Sequence, residues 1–309
     1  MAVYEIGNLI RELRTARGLS QEKLSEGICS PQTLSRAESG TTILTYPNLT
    51  AIMEKLGAST NDYFDTFLSA QEYVCYQKKN EVQALLDKRK LDEVDILLKK
   101  MSEDVLFHKG LNRQFYLSSL AYHKLWVAGD PMNMEYFNPI LNLLQEAINI
   151  TIKKFDMDKI REYLLTLEEM KIIKCFALAY LHSGAIDTGI KILYELKFNM
   201  EDLYKDHAEK MELYTSILYN LSIYLGKQGR HIDALDICDF GIKVCRETKM
   251  LAFLPFLIFN KAYAYAEMGQ LEFCLPLLKQ SYYGLYILEN YQKAEIIKLY
   301  TKDKFGIEL

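Results

Sequence analysis

Gln32 and Arg36 stand four residues apart in a segment that opens Ser30-Pro31. If that segment is a helix, the two share one face. Their side chains are those that pair bidentately with purine edges, glutamine with adenine and arginine with guanine. Far downstream, Asn220 and Asn260 stand 40 apart. An Asn amide offers a donor and an acceptor together, which matches the backbone of an extended peptide. Catalysis has no comparable footing. The chain has no P-loop, G-x-G-x-x-G, H-E-x-x-H or G-x-S-x-G string, and its five His (108, 123, 182, 207, 231) are dispersed. The six Cys (29, 75, 175, 238, 245, 274) form no C-x-x-C and no Cys/His pair at zinc spacing. They read as buried free thiols in a reducing compartment. No enzyme activity, metal or cofactor is expected.

Elements must hold these groups, and composition bounds which. In 309 residues, half are hydrophobic and a quarter charged, while Gly (15) and Pro (6) are few. A large core is available, and an all-β chain would need more turns, so an all-α protein is expected. The longest charge-free stretch, Ser39 to Met53, is rich in Thr and contains Tyr and Pro, so no transmembrane helix fits. Charges near the N-terminus (Glu5, Arg11, Glu12, Arg14) argue against a signal peptide, so a cytoplasmic chain is expected. The net charge of -4 argues against bulk polyanion binding but not against a small base-reading domain.

Residues 1–68 read as five short helices. Ile6, Ile10 and Leu13 share a face, and Gly18 ends that helix. Ser20 is an N-cap with Lys23 where a capping-box Glu would sit. Gly27 breaks the second helix. Ser30 caps a third, with Pro31 at its first position, which runs to about Ser39. Pro47 opens a fourth, Asn48 to Leu56, and Asn61 to Phe67 is the fifth. Two short helices around a glycine turn make a helix-turn-helix.

The string I-x-x-x-I-x-x-L-R-x-x-x-G-L-S-Q-E-x-L-S-E-G-I-C-S-x-x-T-L-S-R-x-E-S-G, Ile6 to Gly40, closely resembles the Xre-type helix-turn-helix. Its short turn, Ser25 to Ser30, is similar to the variant in the Rgg/PlcR/PrgX family of peptide-pheromone receptors. By that resemblance Gln21 corresponds to a phosphate-contacting Gln, aided by amides at its helix N-terminus. Gln32 and Arg36 match base-reading positions, with ordinary solvated surface as the alternative. Pro31 offers apolar contact near a base. Ser30, Thr33 and Ser35 join as candidate DNA contacts. Arg14 and Glu38 match a buried ion pair that locks the first helix to the recognition helix, which is structure and not readout. Residues 1–68 hold six Lys/Arg and eight Asp/Glu. Two-fold dimerisation would then be needed for useful affinity.

Residues 69–309 repeat a long helix, a tight turn and a second helix. Aligning Leu218–Leu235 with Ile258–Leu275 superposes Asn220 on Asn260, Gly229 on Gly269 and Ala234 on Cys274, with a period of 40. An earlier copy turns at Gly184, and weaker ones turn at Gly129 and near Arg89. The pattern resembles the tetratricopeptide repeat, with about five helix pairs in a right-handed α-solenoid. Pro276 should kink its helix or delay its start. By this register Asn80, Asn220 and Asn260 face a concave groove. Lys171, Lys174 and Lys227 face it too and could meet a carboxylate. Tyr116, Trp126, Ile223, Phe256, Phe259 and Tyr263 would supply apolar walls. Scaffold duty for the Asn and plain helix packing for the rest are the alternatives.

Helix-turn-helix plus repeats resembles the Rgg/PlcR/PrgX/NprR receptors over essentially the whole chain. The resemblance implies a cytoplasmic homodimeric transcription regulator, used in quorum sensing. It would bind an inverted-repeat DNA operator and be gated by a short signalling peptide. That peptide is expected to run extended along the first helices of the last three repeats. The rival reading is a helix-turn-helix regulator whose repeats bind a partner protein, or only dimerise, with no peptide. A phosphatase or sequestering role, as in relatives without such heads, is disfavoured by the intact recognition helix.

Overall fold

A computed structural model describes residues 2–58, 69–203 and 208–309, and those residues are helix and loop without strands. The chain divides into two compact units, residues 1–207 and 208–309. The fifth helix expected at 61–67 lies outside the described residues.

The first unit begins with four helices: α1 (Ala2–Ala16), α2 (Gln21–Ser25), α3 (Pro31–Glu38) and α4 (Tyr46–Lys55). Ser20 caps α2 by accepting from the Lys23 amide, and Ser30 caps α3 by accepting from the Thr33 amide. Each cap satisfies an amide that the helix leaves unpaired. Ile6, Ile10, Leu24, Leu34, Leu49, Ile52, Met53 and Leu56 close a small core between them. Three helix pairs follow: α5 (Ala70–Asp87) with α6 (Leu91–Glu103), α7 (Gly110–Ala128) with α8 (Phe137–Asn149), and α9 (Leu167–His182) with α10 (Ile186–Leu203). Their turns fall at Arg89, Gly129 and Gly184, all with positive φ. Capping boxes start α5 (Ser69 with Glu72) and α9 (Thr166 with Glu169).

The second unit holds α11 (Ala208–Lys227) with α12 (His231–Thr248), α13 (Leu254–Glu267) with α14 (Leu271–Ile287), and a last helix α15 (Tyr291–Phe305). Turns fall at Gly229 and Gly269, as the repeat alignment requires. Pro276 does not delay α14. The helix already starts at Leu271, and Pro276 sits in its second turn. Its missing N–H would have bonded the Glu272 carbonyl, so the helix forgoes one bond there.

The fold is therefore a helix-turn-helix head followed by tetratricopeptide-like helix pairs. Cys75, Cys175, Cys238, Cys245 and Cys274 are buried free thiols, and Cys29 is half-buried. Burial pushes the Cys175 and Cys238 thiols up to about 12, so both stay protonated and unreactive at neutral pH.

Candidate functional site

In the head, α3 alternates what it shows and what it hides. Leu34, Ala37 and Glu38 are buried, whereas Gln32, Ser35 and Arg36 are exposed. The exposed three form one strip along the helix. The strip is fixed at both ends. At the N-terminus the Ser30 hydroxyl sits 2.8 Å from the Thr33 hydroxyl as well as capping its amide. At the C-terminus the Arg36 carbonyl accepts from the Thr41 amide at 2.9 Å and from the Ser39 and Thr41 hydroxyls at 3.0 Å each. The Ser30 hydroxyl thus caps α3, and the Thr33 hydroxyl lies against it. Pro31 is half-buried at the first helical position.

Below the strip, Arg14 grips Glu38 bidentately, Nε to Oε1 at 2.6 Å and Nη2 to Oε2 at 2.9 Å. Glu38 is only 2 % exposed. The remaining Arg14 arm, Nη1, donates to the Leu19 carbonyl at 2.8 Å. The hydrogen bond to Glu38 pushes the Arg14 pKa above its ordinary value, so the guanidinium stays charged. Sequence reasoning missed a third member. Gln21 Nε2 donates to Glu38 Oε2 at 2.7 Å. No periodic signal links positions 17 and 24 apart, so only the packed head reveals the triad. The Gln21 amide nitrogen carries a second hydrogen, which remains to donate.

The candidate groove residues of the first unit are spread. Asn80 is exposed on α5. Lys171 donates to the Gln83 side chain at 3.3 Å, and Lys174 is half-buried on the same helix, α9. Tyr116 lies under the Arg113 guanidinium at 5.4 Å. Trp126 is sandwiched at the repeat turns, with Arg89 4.0 Å from its ring and His182 edge-on at 6.2 Å.

In the second unit, Asn220 and Asn260 sit at matching places on α11 and α13. One amide hydrogen of each is already engaged. Asn220 Nδ2 donates to the Ser216 carbonyl at 2.7 Å, one turn back on its own helix. Asn260 Nδ2 donates to the Ser222 hydroxyl at 2.8 Å, joining α13 to α11. An Asn amide carries two hydrogens, so each can still donate once and accept through its oxygen. Ile223 is half-buried between them in sequence register. Tyr219 packs on Phe253 and Phe256 with ring centroids 5.5 and 5.7 Å apart. Phe259 meets Tyr300, and Tyr263 meets Phe305, at 5.9 and 6.0 Å. Helix α15 thus already covers part of those two rings. Lys227 is exposed, with its ammonium 4.6 Å from the Tyr224 ring.

No group of three His, Cys, Asp or Glu among the described residues is arranged to hold a metal ion. No helix among them is long and apolar enough to cross a membrane.

Residues 10–63 match a helix-turn-helix family model. Comparison with curated proteins returns no match. Solved structures do match across nearly the whole chain. PlcR of Bacillus thuringiensis, in complex with the peptide PapR7 and DNA, is 18 % identical with a TM-score of 0.61, covering 95 % of this chain and 99 % of that one. The apo form of the competence regulator ComR from Streptococcus vestibularis is 13 % identical with a TM-score of 0.52, covering 98 % and 99 %. The sequence thus carries a helix-turn-helix domain, and the whole chain has the fold seen in PlcR and ComR.

Proposed function

We propose that this protein is a DNA-binding transcription regulator whose repeats bind a short signalling peptide. The head (1–68) would read an inverted-repeat operator as part of a homodimer, and the repeats (69–309) would bind peptide and dimerise. The observation that carries the DNA half is the exposed strip Gln32, Ser35 and Arg36 above the Arg14–Glu38–Gln21 triad. A base-reading side chain needs a free head on a fixed stem, and the triad fixes the stem. PlcR, of the same fold, is seen with DNA and a peptide, which supports both halves. The test is selection of binding sites from a random duplex pool, followed by mobility shifts on the recovered site. Arg36→Ala should cost about 1–3 kcal/mol and relax one base position, and Gln32→Ala should do likewise at another. Unchanged affinity in both variants would sink the assignment.

The peptide half rests on the Asn220 and Asn260 amides beside the aromatic side chains of α11 and α13. An extended ligand of roughly five to ten residues would pair its backbone N–H and C=O groups with them. It must bind one arrangement of the protein better than another to alter operator binding. Calorimetry against synthetic peptides encoded beside the gene tests this. Replacing both Asn with Ala should weaken the peptide by about two to four orders of magnitude while ligand-free DNA binding holds. The rival, repeats that grip a partner protein or only dimerise, gains from one observation: α15 already covers Phe259 and Tyr263. A failure of every such peptide to bind would favour it.

A further inference from the structure

The head is joined to the repeats of its own unit by more than the chain between residues 58 and 69. Helix α4 starts at Tyr46 behind Thr45, which makes no side-chain cap. The Tyr46 amide donates instead to Glu72 Oε1 of α5 at 2.9 Å. The other Glu72 oxygen takes the Ser69 amide in the capping box of α5, also at 2.9 Å. One body carboxylate therefore caps two helices, its own and the head's. The exchange runs the other way at the far end of α4. Glu54 Oε2 accepts the Leu167 amide at 2.9 Å, the first amide of body helix α9. Both amides belong to the orphan set at a helix start, where a carboxylate also meets the positive end of the helix dipole.

The neighbouring contacts agree. Lys55, 4 % exposed, donates to the Glu26 carbonyl at 2.8 Å and is attracted to buried Glu169 of α9. Leu164 packs onto the head core. A Cβ on Gly27 would lie 2.0 Å from the Thr151 carbonyl oxygen, so the turn before α3 lies directly on the body backbone. Thr151 is held from behind, since buried Gln114 donates to its hydroxyl at 2.8 Å.

We infer that α4 splints the head to the first helix pairs through this reciprocal exchange of helix caps, in a pose that leaves the reading strip of α3 open. Glu54 and Glu72 are then positioning residues that let the body set the direction in which Arg36 and Gln32 point. The splint stands on geometry alone, and its consequence for DNA rests on the reading proposed above. A splinted pair of heads accepts one separation of half-sites, whereas loosened heads accept several.

The test uses the full chain with Glu54→Lys, which sets a cation against the start of α9. Hydrogen exchange of the Leu167 amide should accelerate at least about tenfold, because Glu54 is the acceptor that protects this helix-start amide. The α4 amides of Ile52 and Met53 should keep wild-type protection. Glu54→Gln retains an acceptor and should restore protection at Leu167, whereas Glu54→Ala should not. Unchanged exchange at Leu167 in both Glu54→Lys and Glu54→Ala overturns the splint. Equal loss of protection in α4 overturns it too, since Glu54 would then serve only the head's own fold. In selection from a random duplex pool, wild type should recover one half-site spacing and Glu54→Lys a spread. A single spacing in Glu54→Lys with Leu167 exchanging fast overturns the positioning role. No enrichment by wild type instead sinks the DNA-reading proposal, and the exchange data alone then decide the splint.

Discussion

Glu38 is the most consequential single side chain of the head. Its carboxylate is buried and takes three hydrogen bonds, two from Arg14 and one from Gln21. Glu38→Ala strands the Arg14 guanidinium, which is itself mostly buried with 13 % of its side chain exposed. Breaking a buried pair this way costs about 3–5 kcal/mol. The head should then melt or loosen while the repeats keep their structure, which NMR of the full chain would show residue by residue. A head in Glu38→Ala as protected as wild type would refute the triad's role. Gln21→Ala should cost less, about 1–3 kcal/mol, because Arg14 still satisfies the carboxylate. The pair itself was legible in the motif, since Arg14 and Glu38 hold matching positions. Gln21 read only as a phosphate contact, because its bond to Glu38 spans 17 residues and leaves no trace in periodicity.

At the scale of elements, helix pairs meet where one register position stays small. Gly189, Ala234 and Cys274 occupy that position in successive copies and are all buried. Gly189 is the tightest. A Cβ there would fall 2.4 Å from Leu181 Cγ and 2.8 Å from the Ala177 carbonyl oxygen. The side chain can turn away but the carbonyl cannot, so Gly189→Ala must push α10 off α9. The expected loss is about 1–3 kcal/mol in urea unfolding. Gly184→Ala, at a turn with φ +89 and nothing within 4 Å of an added Cβ, should cost only the left-handed strain of about 1–2 kcal/mol. A Gly189→Ala variant as stable as wild type would show that these helices slide freely. The turn glycines were legible because they punctuate the sequence at a fixed spacing. The uninterrupted start of α14 was not, because α13 packs on it and outweighs the local cost of Pro276.

At the scale of the whole molecule, charge limits how the protein can hold DNA. Of the head's cations, Arg14 and Lys55 are spent inside, which leaves Arg11, Arg17, Lys23 and Arg36 exposed. Two heads then offer about eight phosphate-competent charges, so the slope of log affinity against log salt should be no steeper than about −7. A steeper slope in a salt titration would mean that the repeats also touch phosphate. The sequence by itself determined the helix-turn-helix, the helix pairs with their turns, and that Gln32 and Arg36 share one face of α3. Those are local properties, set by caps, glycines and periodic apolar faces within a few residues. Only the tertiary structure decided that Gln21 joins the Arg14–Glu38 pair, that Asn260 ties α13 to α11, and that α4 exchanges caps with α5 and α9. Each depends on an amide or carboxylate meeting a partner between 17 and 113 positions away. Hydrogen-bond pairing over such separations is fixed by packing and has no spacing rule to read.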